Sequence, residues 1–284
     1  EDGIRDLVRS RGLGDVYKRQ HKMHAKIGPP VSYQLELSEQ TLVLNDWLGK
    51  TVRIEYLQSI ECTHCGRAMK KSFSQGYCYP CFRSLAQCDI CIMSPEKCHY
   101  HLGTCREPEW GVQFCMKPHI VYLSNTSGVK VGITRETQIP TRWIDQGARQ
   151  AMSILRVSKR YYAGLVEVAF KQFLNDKTNW RTMLKNEFEP VDLLEVFNQY
   201  WPEVQAGLDD DIKSDIEVMA GANAMQQFEF PAHGYPTKIN SFNLDKNPVA
   251  EGRLDAIKGQ YLIMDTGVIN IRKYSGYLVS LEAQ

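Results

Sequence analysis

The chain has 284 residues, of which 43% are apolar and 24% charged, with 34 basic and 33 acidic side chains. That length holds a buried core and has room for two ordinary domains. No apolar run approaches the roughly 18 residues of a membrane-spanning helix, so neither a span nor an anchor is expected.

The near-zero net charge hides a partition. Residues 62–185 carry 18 basic against 8 acidic side chains, and residues 186–284 carry 7 against 16. A basic half joined to an acidic half fits a polyanion site on the first half, and fits equally an unevenly charged solvated surface. Residues 1–20 stand apart. They end in Asp15-Val16-Tyr17-Lys18-Arg19-Gln20, which resembles one reading frame of a transposon mosaic-end adapter used in sequencing libraries. We read residues 1–20 as an adapter artefact and leave them out of the fold expectations.

Taken in chain order, residues 31–37 and 51–56 alternate apolar and polar side chains across a turn-rich connection at 45–50, and predict strands of a half-buried antiparallel sheet. All nine cysteines follow, between Cys62 and Cys115. Such crowding, with an odd count, argues for metal-bound thiolates in a reducing cytoplasm rather than a disulfide scaffold. Cys62-Thr63-His64-Cys65 and Cys78-Tyr79-Pro80-Cys81 form two knuckles whose four thiolates make a closed tetrahedral zinc site, a zinc ribbon. Redox CxxC chemistry and an iron–sulfur cluster are the competing readings. Gly66 and Gly76 supply the permissive backbone such turns need.

A second cluster offers Cys88, Cys91, Cys98, His101, Cys105 and Cys115, more ligands than one tetrahedron accepts. A second zinc is expected on Cys88 and Cys91 with two of Cys98, His101, Cys105 and Cys115. His64, His99 and His119 are read as ordinary polar residues.

Residues 119–124 and 129–134 predict a hairpin closed by Asn125-Thr126-Ser127-Gly128. Pro140 opens a helix toward residue 150, a strand covers 154–158, and a helix covers 161–175 with Leu165, Val168, Ala169 and Phe173 as its apolar stripe. Residues 191–227 read as acidic and helical, interrupted by Pro202 and Asp209-Asp210-Asp211. The runs 254–264, 268–274 and 277–281 predict three strands with tight turns. Because such a meander must bury one face, the N- and C-terminal strands are expected to meet in one β-rich, barrel-like domain.

Ile120-Val121-Tyr122, Lys130-Val131-Gly132-Ile133-Thr134-Arg135, Arg142 and Glu167 together resemble the GIY-YIG nuclease module in order and spacing. The resemblance implies that Glu167 holds a divalent ion, magnesium or manganese, against the scissile phosphate. It further implies that Arg142 stabilises developing charge and that Tyr122 helps activate water. Two positions depart from that pattern: Lys130 stands where the second motif has tyrosine, and Gln146 where histidine is common. Each of these residues also has a structural reading. Tyr122 would then pack under the hairpin, Arg142 would be a solvated helix residue, and Glu167 would pair with Lys171 at i, i+4.

The runs Ser72-Phe73-Ser74-Gln75-Gly76-Tyr77-Cys78-Tyr79-Pro80-Cys81, Gly103-Thr104-Cys105-Arg106-Glu107-Pro108-Glu109-Trp110-Gly111 and Ile257-Lys258-Gly259-Gln260-Tyr261 make the chain similar to the bacterial family called domain of unknown function 2797. That name implies no activity.

The expected fold is α+β. After the adapter it comprises N-terminal strands (21–60), a zinc-binding region (61–116), a GIY-YIG-like α/β module (117–186), an acidic helical segment (187–230) and a C-terminal β-rich region (231–284). The expected function is metal-assisted phosphodiester hydrolysis on DNA or RNA. The alternatives are a non-catalytic nucleic-acid-binding or adaptor protein and, more distantly, an iron–sulfur protein. Trp143, Tyr161, Tyr162 and Trp180 lie among Lys159, Arg160, Lys177 and Arg181 and are candidates for base stacking, with only Tyr161 or Tyr162 expected at the surface.

Overall fold

The alternating segments at the two ends of the chain pair with each other. In the computed structural model, which describes residues 18–37, 40–221 and 223–284, the N-terminal strands are β1 (Lys18–Lys26), β2 (Ser32–Leu37), β3 (Gln40–Val43), β4 (Thr51–Glu61) and β5 (Ala68–Met69). Most of the segment read as adapter, residues 1–17, lies outside the described residues. The cysteine region holds three short helices, α1 (Tyr79–Ser84), α2 (Ile90–Met93) and α3 (Pro108–Phe114). After it come β6 (His119–Asn125), β7 (Val129–Arg135), α4 (Thr141–Asp145), β8 (Gln150–Val157) and α5 (Arg160–Phe170). Then follow α6 (Trp180–Leu184), α7 (Leu193–Ala206), α8 (Asp210–Asp215), β9 (Glu217–Val218) and β10 (Met225–Gln227). The chain ends with β11 (Val249–Lys258), β12 (Tyr261–Met264), β13 (Val268–Asn270) and β14 (Tyr277–Ala283).

The fold is mixed α+β, with a curled, half-barrel sheet in the order β13-β12-β11-β4-β14-β1-β2-β3 and β5 on β4. Strand β4 sits between C-terminal strands, with Ile54 opposite Ala250 on one side and Leu281 on the other. A second sheet runs β10-β8-β6-β7, with β9 on β8. Its central strand β6 is buried along its whole length, and successive side chains serve opposite faces. Ile120 and Tyr122 join the core of the large sheet, with Trp143 and Ile144 of α4. Val121 and Leu123 join a separate core with Val166 and Phe170 of α5 and Phe197 of α7.

The family-like run at residues 257–261 joins the two sheets. Gly259 adopts φ +62°, which turns β11 into β12 and divides the run read from sequence as one strand. A Cβ at that position would stand 3.0 Å from the Asp145 carbonyl of α4. The Gln260 side chain accepts from Met23 N and donates to Met23 O, both at 2.9 Å, and also donates to Asp145 at 2.9 Å. Lys258 is fully buried, donates to Asn186 Oδ1 at 2.7 Å, and is pushed down to about 7 by burial and by the nearby Arg149 charge.

Elsewhere the structure departs from the sequence reading for local reasons. Helix α4 ends at Asp145 because Gly147 takes φ +73°, and β8 starts at Gln150 rather than 154. Helix α5 stops at Phe170, and its buried face is Ala163, Gly164, Val166 and Phe170, while Val168 is exposed. The stripe is displaced because the helix packs between the small sheet and the cysteine region. Residues 217–227 read as helix but supply β9 and β10, which pair with β8.

That packing rests on a glycine. A Cβ at Gly164 would lie 2.6 Å from Pro95 Cβ and 2.7 Å from Glu96 N, so the cysteine region touches the bare backbone of α5. Arg160 at the start of α5 donates from Nη2 to Ile92 O at 2.7 Å, and its backbone N–H donates to Cys115 O at 2.8 Å. In an exposed helix Gly→Ala gains about 1 kcal/mol. Gly164→Ala is expected to reverse that sign and cost about 1–3 kcal/mol through overpacking, measured by chemical denaturation against the wild-type chain.

Candidate functional site

The first four cysteines, read from sequence as a zinc ribbon, begin where β4 ends. The first knuckle closes through Gly66 N donating to Cys62 O at 2.9 Å, with Gly66 at φ +72°. The second knuckle approaches it at Gly76, where a Cβ would stand 2.7 Å from Thr63 Cγ2, and Thr63 N donates to Gly76 O at 2.8 Å. The Cys62, Cys65, Cys78 and Cys81 sulfurs all lie within 4.8 Å of one another, with 3.7 Å between Cys65 and Cys78. A tetrahedral zinc with bonds of about 2.3 Å requires sulfurs about 3.8 Å apart, so the set fits that ion.

Electrostatics points the same way. Burial pushes the Cys62 thiol up, but hydrogen bonds from the backbone of Cys65, Cys78 and His64 outweigh it and bring the group down to about 6. Cys81 is pushed well up, first by burial and then by the neighbouring sulfurs. Four adjoining sulfurs thus resist carrying further negative charge until a cation joins them. With four protein ligands such a site is closed, so it stabilises and orients without an open position for substrate.

The residues of the second cluster divide. Cys88 packs with Cys62, Cys78, Cys81 and Leu85, and the His101 ring lies 5.6 Å from that of Tyr161. Cys91, Cys98, Cys105 and Cys115 line one small cavity together with Asp89 and His99. His99, set aside in the sequence, lies close to Asp89 and Cys91. The Asp89 carboxylate accepts from Ile90 N at 2.6 Å and pairs with Arg106 at 2.8 Å and His99 Nε2 at 3.4 Å. His99 Nδ1 is 2.7 Å from Thr104 Oγ1.

Beyond this region, Tyr122, Lys130, Arg142 and Glu167 influence one another electrostatically from β6, β7, α4 and α5. Tyr122 faces Gly132 across the hairpin, and a Cβ there would stand 2.6 Å from the phenol oxygen. The glycine therefore makes room for the ring. The Tyr122 hydroxyl donates to Gln146 Oε1 at 3.0 Å, which brings Gln146 into the group. Burial raises the phenol above its ordinary range, with Arg142 opposing. Burial lowers Lys130 to about 8, helped by Arg142 and opposed by Glu167.

Glu167 is raised by burial, and Lys171 is the strongest opposing influence. Lys171 Nζ lies 3.4 Å from Glu167 and 3.2 Å from Asp176. Asp176 was not legible in the sequence. Asn175 forms a parallel bridge to Lys130, and Val131 N donates to Asn175 O at 3.0 Å, which brings the following residue alongside β7. Of the candidate stacking aromatics, Trp143 is core, Trp180 stacks on Tyr261 at 6.0 Å, and Tyr162 donates to Asp211 at 2.8 Å. Tyr161 and Tyr162 are both half-buried.

Cys65→Ser is expected to release zinc and to lower stability by several kcal/mol, because folding of such a region draws on metal binding worth on the order of 10 kcal/mol. Elemental analysis and thermal unfolding with and without a chelator check both outcomes.

No curated protein and no solved structure matches the chain. The family model described as Protein of unknown function (DUF2797) matches residues 49–279, a span that takes in the four-cysteine cluster, the smaller sheet and the Tyr122 cluster and leaves out β1, β2 and β3 of the large sheet. The chain therefore belongs to the DUF2797 family.

Proposed function

We propose that this protein acts on nucleic acid by divalent-metal-assisted phosphodiester hydrolysis, in the manner of the GIY-YIG module. The observation that carries the reading is the gathering of Tyr122, Lys130, Arg142 and Glu167 from four separate elements into one electrostatic group. Lys171 adds to it. Its ammonium lies between the Glu167 and Asp176 carboxylates, so a magnesium or manganese ion entering there would replace a cation that the two acids already hold. When bound, that ion polarises the phosphoryl group and stabilises the leaving oxygen.

The chain's own groups supply the rest. Arg142 offers paired donors to phosphate oxygens. The Tyr122 hydroxyl, kept neutral by burial, orients water while Gln146 accepts its proton in a hydrogen bond. Lys130, at about 8, is mostly charged at neutral pH and gives up its proton slightly above it, which suits a group that accepts a proton from attacking water. The excess of basic side chains across residues 62–185 favours a polyanionic substrate.

Incubation of the full chain with magnesium or manganese and assorted DNA and RNA tests the reading. Glu167→Gln is expected to lower turnover by about 10²-fold or more, and cleavage equal in both proteins would sink it. The rate is expected to rise with pH through about 8, because the neutral form of Lys130 is the accepting one and is lost as pH falls. Lys130→Met is expected to abolish that rise, checked by the pH profile of turnover.

A second reading is favoured by the Glu167–Lys171 pair and by the burial of Glu167, whose side chain is 12% exposed. In it the fold binds nucleic acid without cutting it. Salt-sensitive binding with no metal-dependent turnover would select this alternative.

A further inference from the structure

Arg149 and Lys258 lie together without a counter-charge. Arg149 stands just before β8, and Lys258 closes β11. The Asn186 side-chain oxygen accepts from Lys258 Nζ at 2.7 Å and from Arg149 Nη1 at 3.4 Å, so two cations share one neutral acceptor. Among the described residues neither cation is ion-paired with a carboxylate. Lys258 is fully buried, and an ammonium carries three N–H donors. Its Nζ otherwise faces the rings of Phe230 and Tyr235, 5.3 and 5.7 Å away. The Arg149 guanidinium rests over the Phe188 ring at 5.2 Å, and among the described residues its other N–H groups meet no protein acceptor. A buried charge left uncompensated is costly, and a bound anion removes that cost.

Beside this pair a cavity of about 620 Å³ opens between the two sheets. Its walls come from residues 27–29 after β1, from Arg149, and from residues between 227 and 235 where β10 runs out. The size suits one small molecule, since such sites span about 300–1,000 Å³. Phe228, Phe230 and Tyr235 supply aromatic surface, and the exposed Ile27 supplies an apolar lip. Arg149 reaches the same cavity, and a guanidinium matches the paired oxygens of a phosphate or carboxylate.

Glu229 also lines the cavity and acts on Tyr235 in opposition to Arg149. It is exposed, where water and salt weaken its field. An acidic wall repels a chain of phosphates more than it repels one anionic group held at Arg149.

We propose that this cavity binds a small organic anion, a single phosphate or carboxylate carried on an aromatic ring. The anionic group lies against Arg149 with Lys258 behind it, and the ring lies against Tyr235 and Ile27. The site is separate from the Tyr122 cluster and independent of the hydrolytic reading.

Calorimetric titration of the full chain with adenosine 5′-monophosphate and with benzoate tests this, with adenosine and benzamide as the uncharged counterparts. At least one charged probe is expected to bind about tenfold or more tightly than its counterpart, and the tighter of the two tells whether the site prefers phosphate or carboxylate. Arg149→Met is expected to weaken that probe about tenfold or more, and Glu229→Gln to strengthen it. Lys258→Met is expected to weaken it too, yet to melt no lower than the wild type, because an apolar side chain of similar volume replaces an uncompensated buried charge. Glu167→Gln is expected to bind the probe as the wild type does, which keeps this test apart from the nuclease assay. Charged probes that bind no better than their counterparts overturn the proposal, as does undiminished binding by Arg149→Met. If Arg149→Met fails to fold, the comparison of each charged probe with its counterpart on the wild-type chain decides the matter alone.

Discussion

Four thiols in mutual contact cannot all ionise in a partly buried site without a cation, and the region from Cys62 onward depends on that constraint. It has little apolar core of its own, a few side chains around the ribbon sulfurs. With the ion in place, the knuckles at Cys62 and Cys78 are held together and the following turns acquire a fixed base. Those turns deliver Pro95 and Glu96 against the bare backbone of α5 at Gly164. The four-cysteine cluster and the helix bearing Glu167 are therefore mechanically connected, although four protein ligands would leave a metal there no open position for chemistry.

The opposite side of the Tyr122 cluster is fixed by a different device. Gln260 places both polar atoms of its amide on the backbone of Met23 and also reaches Asp145, tying the large sheet to α4 in one side chain. Gly259 permits the close approach that makes those bonds possible. Arg142 lies on that same short helix, three residues before Asp145. The cysteine region and the half-barrel sheet thus pack against α5 and α4 from outside while β6 and β7 supply the residues between.

Burial gives the cluster its chemical character. Tyr122 is 1% exposed and Lys130 5% exposed, so both are displaced toward their neutral forms, and charges nearby count for more than they would in water. Glu167 is held among cations and a second carboxylate. The Lys171 ammonium resolves the repulsion between Glu167 and Asp176.

Much of this was legible locally. The four-cysteine cluster follows from two CxxC pairs at hairpin spacing, and the hairpin of β6 and β7 follows from alternation around Asn125 to Gly128. Both are properties of neighbouring residues. The end-to-end sheet was also foreseeable, because a three-stranded meander with one apolar face needs a partner. What the sequence could not decide was anything set by distant contact. The buried face of α5 was displaced because two bodies, not one, press on that helix. Residues 217–227 became strand because β8 offered an open edge, overriding their helical pattern. Cys88 packs with the first cysteine cluster and Cys91 lies beside Asp89 and His99, although the two share one CxxC. Asp176 came to Glu167 through a backbone bridge at Asn175 that leaves no periodic trace. Residue type and spacing name the chemistry available, but only the packing of separated segments selects which of those groups meet.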